Sequence, residues 1–121
     1  MANINDIKTS RFLTKNDVDN EGLGYIVTIT GVKQENIAKE GADEEMKYCV
    51  HLQEFAKPMV LNSTNAQIIA KALASDEMDD WRGKQVVLYH DPNVSFGGEL
   101  KGGIRARAIR QKNETAQPPK M

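Results

Sequence analysis

Cys49 is the only cysteine, so no internal disulfide can form, and the chain reads as one made for a reducing cytoplasm. Long apolar runs are missing too, which excludes both a membrane span and the hydrophobic core of a secretory signal. Neither sign of charge dominates. With 16 Lys and Arg against 17 Asp and Glu, a binder that holds nucleic acid by overall charge alone is disfavoured. Aromatic residues are scarce: three Phe, three Tyr and one Trp.

The motifs of common chemistries are equally absent. Neither Gly97-Gly98 nor Gly102-Gly103 leads into the Gly-Lys-Ser/Thr of a phosphate loop, and Gly83-Lys84 is followed by Gln85. A closed zinc site takes four ligands in locally paired spacing; Cys49-x-His51 with a remote His90 falls short. Cys49 has no visible base and orienting partner to make it a nucleophile. The acidic run Asp76, Glu77, Asp79 and Asp80 follows a helical segment and reads as a solvated turn. No catalytic residue, metal or cofactor is expected, and the chain is not read as an enzyme.

A length of 121 residues allows one domain, with a core large enough to need no staple. Residues 1–21 alternate charge with Asn and carry one firm apolar pair, Phe12-Leu13. They read as an arm that this pair anchors on a domain spanning 22–111. Residues 112–121, with Pro118-Pro119 and almost nothing apolar, read as a disordered tail.

Within the domain, Tyr25 to Lys33 is rich in β-branched residues, with Val27 and Ile29 on one face and Thr28 and Thr30 on the other. Gln34 to Glu45 is an exposed, acidic connection. From Met46 to Phe55 the pattern alternates, Met46, Tyr48, Val50 and Leu52 on one face and Lys47, Cys49, His51 and Gln53 on the other, the latter taken as the wet one. Lys57 to Leu61 is a short third strand, with Pro58 at its start or edge. Ala66, Ile69, Ala70 and Leu73 then fall on a single helical stripe within Thr64 to Ser75, and Thr64 with Gln67 offers a capping box. Trp81 reads as core, sealing the corner before Gly83 with its ring N–H on the turn backbone. Gln85 to His90 is a fourth strand, and Gly103 to Arg110 a fifth after a glycine-punctuated hairpin. An all-β fold with one helix follows, in the element order of a five-stranded OB-like barrel whose helix lies between strands three and four.

Charge is unevenly placed. Lys101 to Lys112 holds five basic residues and no acid, whereas Glu35 to Glu45 holds five acids and one lysine. Arg105 and Arg107 lie two apart on a strand and so share a face, at a separation of about 7 Å that suits successive phosphates of an extended strand. The competing reading is a solvated face neutralised by acids such as Glu54 or Glu99. Tyr89 and Phe96 flank the last hairpin, where they either stack on unpaired bases or belong to the core. Lys101, Arg110 and Lys47 complete the candidate set.

The pattern Leu61-Asn62, Thr64-Asn65, Asp79-Asp80-Trp81-Arg82-Gly83-Lys84, Leu88-Tyr89, Phe96-Gly97-Gly98 and Gly103-Ile104-Arg105-Ala106-Arg107 resembles a small family of phage and prophage proteins of poorly assigned function. More distantly, the element order resembles OB-fold single-stranded-DNA-binding proteins. This chain differs from the bacterial ones at Gln117-Pro118-Pro119-Lys120-Met121, which replaces their acidic tail. The resemblance implies a non-enzymatic module that binds single-stranded DNA, or RNA, in the cytoplasm of a bacterial host. The alternative is a protein-interaction or virion-assembly adaptor. A homo-oligomer is a further expectation, because Tyr25 to Lys33 is long enough to pair as an edge strand across a two-fold axis.

Overall fold

The computed structural model describes residues 11–96 and 98–109; the expectations for Arg110 and for the tail from 112 lie outside them. The described residues form seven strands, one α-helix and two short 3-10 helices (Lys15–Val18 and Met78–Trp81): β1 (Tyr25–Asn36), β2 (Met46–Leu52), β3 (Met59–Val60), α1 (Ser63–Leu73), β4 (Gln85–Asp91), β5 (Ser95–Phe96), β6 (Glu99–Leu100) and β7 (Gly103–Arg107). Five of the strands form one antiparallel sheet in the order β3-β2-β1-β4-β7, and β5 and β6 form a separate hairpin. Among these residues no helix is long and apolar enough to cross a membrane.

The β-branched run of β1 favours an extended backbone, and a bulge between Ile29 and Gly31 divides the strand in two. Tyr25 to Thr28 pairs with β4, whereas Gly31 to Asn36 pairs with β2. One strand thereby joins both halves of the sheet, bending where the extra residue breaks the ladder. Val27, Ile29, Val50, Leu52, Val86, Leu88 and Ala106 line its inner face, closed by Phe55, Met59, Leu61, Ile69 and Trp81.

Helix α1 begins one residue earlier than its periodicity suggests, and the Thr64–Gln67 capping box does not form. Asn62 is the cap: its side chain accepts from Asn65 N–H at 2.8 Å, filling one of the orphan donors of the first turn. Gln67 bonds Ser63 instead. At the far end Trp81 is buried, and its Nε1–H donates to Ser75 O at 3.0 Å, as the corner reading anticipates.

The sheet does not close into a barrel. β3 has only two residues, preceded by Pro58, whose carbonyl accepts from Leu13 N–H, so little ladder is left to meet β7. The outer edge of β7 is taken by a side chain instead. Asn65, 1 % exposed, accepts from Ala106 N–H at 3.1 Å and donates to Ile104 O at 2.9 Å. Its amide thus stands in for one step of a neighbouring strand, satisfying two backbone groups that burial would otherwise leave orphaned.

The face assignment of β2 also needs correction. Cys49, expected on the wet side, is fully buried, while Met46 and Tyr48 are 42 % and 44 % exposed. Glu35 sits against the thiol and Arg11 lies close by, its Nη2 bonded to Ala38 O. Burial, with the Glu35 charge beside it, pushes the thiol pKa up, the opposite of activation. Met46 and Tyr48 are bare because the β1–β2 ribbon runs past the layer that covers Val50 and Leu52.

Leu13 and Val18 belong to the core. Between them Asp17 accepts from Thr14 N–H at 2.8 Å and Thr14 Oγ1 at 3.0 Å, and pairs with Lys57 at 2.9 Å. Burial pushes this carboxyl up, but the Thr14 bonds and the Lys57 charge outweigh it, and the net shift is below the ordinary 3.8. A folded-state pKa lowered in this way contributes stability above 3.8 that is lost as pH falls through the folded value. Asp17→Asn is expected to destabilise the protein at neutral pH. Denaturant titrations across acid pH should show the gap between wild type and variant closing below about pH 3.8; a constant gap refutes the assignment.

Candidate nucleic-acid interface

Opposite the core, the sheet of β1, β4 and β7 has a second face whose composition follows from register. Tyr89 is paired with Arg105, and Ile26, Val87 and Arg107 form the adjoining row. Ile26 and Val87 are buried although they lie outside the core cluster. Arg107 stands directly across from Val87, and its Nη2 reaches Leu23 O at 3.4 Å while Nη1 donates to Ala108 O at 3.2 Å. Its aliphatic stem therefore crosses β4 over apolar side chains, as long cationic residues commonly do. Arg107 is a tie between β7 and the start of β1.

Arg105 is different. It is half-buried, and its Nη1 is enclosed with no hydrogen-bond partner among the described residues. A buried guanidinium N–H left in that state costs free energy and calls for an explanation, an ion or ligand oxygen among them. The acids that would have made this face ordinary solvated surface are engaged elsewhere. Glu54 accepts from Thr28 N–H at 2.6 Å and Thr28 Oγ1 at 2.8 Å, and Glu99 lies 3.9 Å from Lys101. Among the described residues no acid pairs with Arg105.

Tyr89 is held beside it by a close backbone approach. Gly24, at φ +73°, sits so near that an added Cβ would lie 2.4 Å from Leu88 O and 2.7 Å from Tyr89 Cβ. The ring is half-buried, neither core nor free surface.

The fold thus brings Tyr89, Arg105 and Arg107 together. Lys101 lies four residues before Arg105 in the approach to β7, exposed, near Glu99 and with its carbonyl accepting from Lys15 Nζ. Lys47 is remote, on β2 across from Glu35 at the opposite end of β1 from the β4 pairing. The backbone of Phe96 pairs with Glu99 in the β5–β6 hairpin; its side chain, like Arg110, falls outside the described residues. Among those residues no group of three His, Cys, Asp or Glu is placed to hold a metal.

Sequence reasoning missed Gly24 and Asn65 as determinants of this site. Gly22-Leu23-Gly24 ahead of a β-branched run was the available signal for the first. For Asn65 there was none beyond its place in the family-like pattern, since its partners lie about forty residues away on β7. Comparison with protein-family profiles, curated proteins and solved structures returns no match to this chain.

Proposed function

We propose that the protein is an OB-like single-stranded nucleic-acid-binding module of phage or prophage type, with DNA as its ligand and the Tyr89–Arg105 face as its site. The sheet order supports this reading. If β7 is counted as the fifth strand, β3-β2-β1-β4-β7 has the strand order expected of an OB sheet opened between its third and fifth strands, with α1 between the third and fourth and the β5–β6 hairpin between the fourth and fifth. Fold alone does not carry function. The observation that does is Arg105 Nη1, enclosed and without a partner among the described residues, beside a half-exposed tyrosine.

In this reading a phosphate pairs with the accessible part of the half-buried Arg105 guanidinium, and a splayed base stacks on Tyr89. Duplex bases are already stacked on one another, so the aromatic contact favours single strands. Arg107, tied to Leu23 O, shapes the surface. The module needs no cofactor and performs no catalysis, and it works in a cytoplasm where Cys49 stays reduced.

Fluorescence anisotropy with labelled single-stranded and duplex oligonucleotides at several salt concentrations tests it. Tyr89→Ala is expected to weaken single-strand binding roughly five- to hundred-fold, the loss of one stacked base. Arg105→Ala should lower the slope of log affinity against log salt by about 0.7, one phosphate's worth. Lys47→Ala, at the far end of β1, should change little. A folded Arg105→Ala protein with unchanged affinity and slope would remove the site.

A further inference from the structure

The sequence places a self-pairing edge at Tyr25 to Lys33, but the structure closes most of that stretch. Tyr25 to Thr28 is covered by β4, and Ile29 exchanges backbone bonds with Gly83 and Lys84. The edge opens only afterwards. Leu61 N–H donates to Tyr48 O, so on β2 it is the alternate residues Lys47 and Cys49 that turn their backbone to β1, meeting Glu35 and Lys33. Val32, Gln34 and Asn36 consequently direct their N–H and C=O groups away from β2, and among the described residues nothing bonds them. Lys33, Gln34 and Asn36 are exposed.

We propose that this edge, Gly31 to Asn36, is a dimerisation surface on which a second copy of the chain pairs antiparallel about a two-fold axis at Gln34. In that register Val32, Gln34 and Asn36 face Asn36, Gln34 and Val32 of the other copy, so every open N–H and C=O finds a partner. Lys33 then lies across from Glu35 of the second copy, twice by symmetry. Axes centred on Lys33 or Glu35 would instead oppose like charges, which are repulsive at cross-strand distance. Charge therefore selects the Gln34 register, where an unprotected edge would otherwise be an aggregation hazard.

The apolar surface of the ribbon points the same way. Met46 and Tyr48 share the inner face with Val32 and Gln34, and they are the exposed apolar residues nearest this edge. Pairing converts each two-stranded ribbon into half of a four-stranded one, so the Met46–Tyr48 pairs of both copies come to lie on one continuous face. The inference does not depend on nucleic acid, although a dimer would place two Tyr89–Arg105 faces on a single assembly.

Sedimentation velocity on the full chain over a range of concentrations tests it. Wild type is expected to reach a dimer, Lys33→Glu to raise the dimer dissociation constant at least about tenfold by replacing two attractive contacts with two repulsive ones, and the Lys33→Glu/Glu35→Lys exchange to recover association. A second measurement does not rely on these charges. Gln34 faces its own copy in a hydrogen-bonded pair with Cα atoms about 5.5 Å apart, within disulfide range, so Gln34→Cys should cross-link into a covalent dimer under mild oxidation and Lys39→Cys should not. Wild type that stays monomeric at every concentration, or a Gln34→Cys protein that fails to cross-link, overturns the proposal.

Discussion

Replacing Asn65 with Ala or Leu is expected to cost as much stability as truncating the fully buried Ile69 on the same helix, although Asn65 is polar and contributes little to the apolar core. Among the described residues its amide is the bridge from α1 to Ala106 N–H and Ile104 O on β7. Truncation leaves two backbone groups enclosed without partners, at about 1–3 kcal/mol each, so a loss of about 2–6 kcal/mol follows. Asn65→Asp separates the two bonds. It keeps an acceptor for Ala106 N–H but loses the donor, and it turns a carboxylate toward Ile104 O; the aspartate variant should therefore be little better than alanine. Urea unfolding should show a lower midpoint at unchanged slope. A shift worth less than about 1 kcal/mol would mean that water takes over the β7 edge and that the amide is not what occupies the open side of the sheet. Because β7 carries Arg105 and Arg107, fraying of this edge should also degrade the candidate interface.

Gly24→Ala should be nearly as damaging, for two separable reasons. The backbone at Gly24 is left-handed, φ +73°, which costs an L-residue about 1–2 kcal/mol. The added Cβ would also lie 2.4 Å from Leu88 O and 2.7 Å from Tyr89 Cβ, and such overpacking costs a further ~1–3 kcal/mol. Gly22 provides the control. Its φ is +82°, but a Cβ there meets nothing within 4 Å, so Gly22→Ala should show only the conformational part. The difference between the two variants in denaturant unfolding isolates the contact between the start of β1 and β4. Equal losses would place Gly24 with the ordinary turn glycines. If the proposed nucleic-acid reading holds, a folded but weakened Gly24→Ala protein should also bind oligonucleotides less well, because Tyr89 is displaced from Arg105.

How far the chain could be read in advance depends on the range of the interaction that decides each feature. Strand and helix positions were legible because they are local. The apolar stripe through Ile69 and the Trp81 corner sit where the sequence places them and the mostly β architecture with one helix between the third and fourth strands follows, but β1 runs on to Asn36 through residues read as a connection and β3 shrinks to Met59–Val60. The cap residue was misplaced by two positions because Asn62 and Thr64 are both good caps, and only the chain's entry into the helix chooses between them. Cys49 and Tyr48 exchanged roles for a reason that alternation cannot express. Period two says which residues share a face, but not whether a neighbouring segment covers that face or whether the ribbon outruns its own core.

The site divides in the same way. Composition and spacing by themselves determined that Arg105 and Arg107 share a face, that no catalytic or metal-binding motif is present, and that Cys49 can form no internal disulfide. Only the tertiary structure set Tyr89 opposite Arg105, bound Arg107 to Leu23 O, filled the open edge of β7 with Asn65 and, among the described residues, left Arg105 Nη1 without a partner and Gly31 to Asn36 unpaired along one edge. Each of these rests on contacts between residues far apart in sequence, fixed by strand register. Register is a property of the packed sheet: every strand's partner is chosen by which faces must be buried together, and that choice is made only when the whole chain folds.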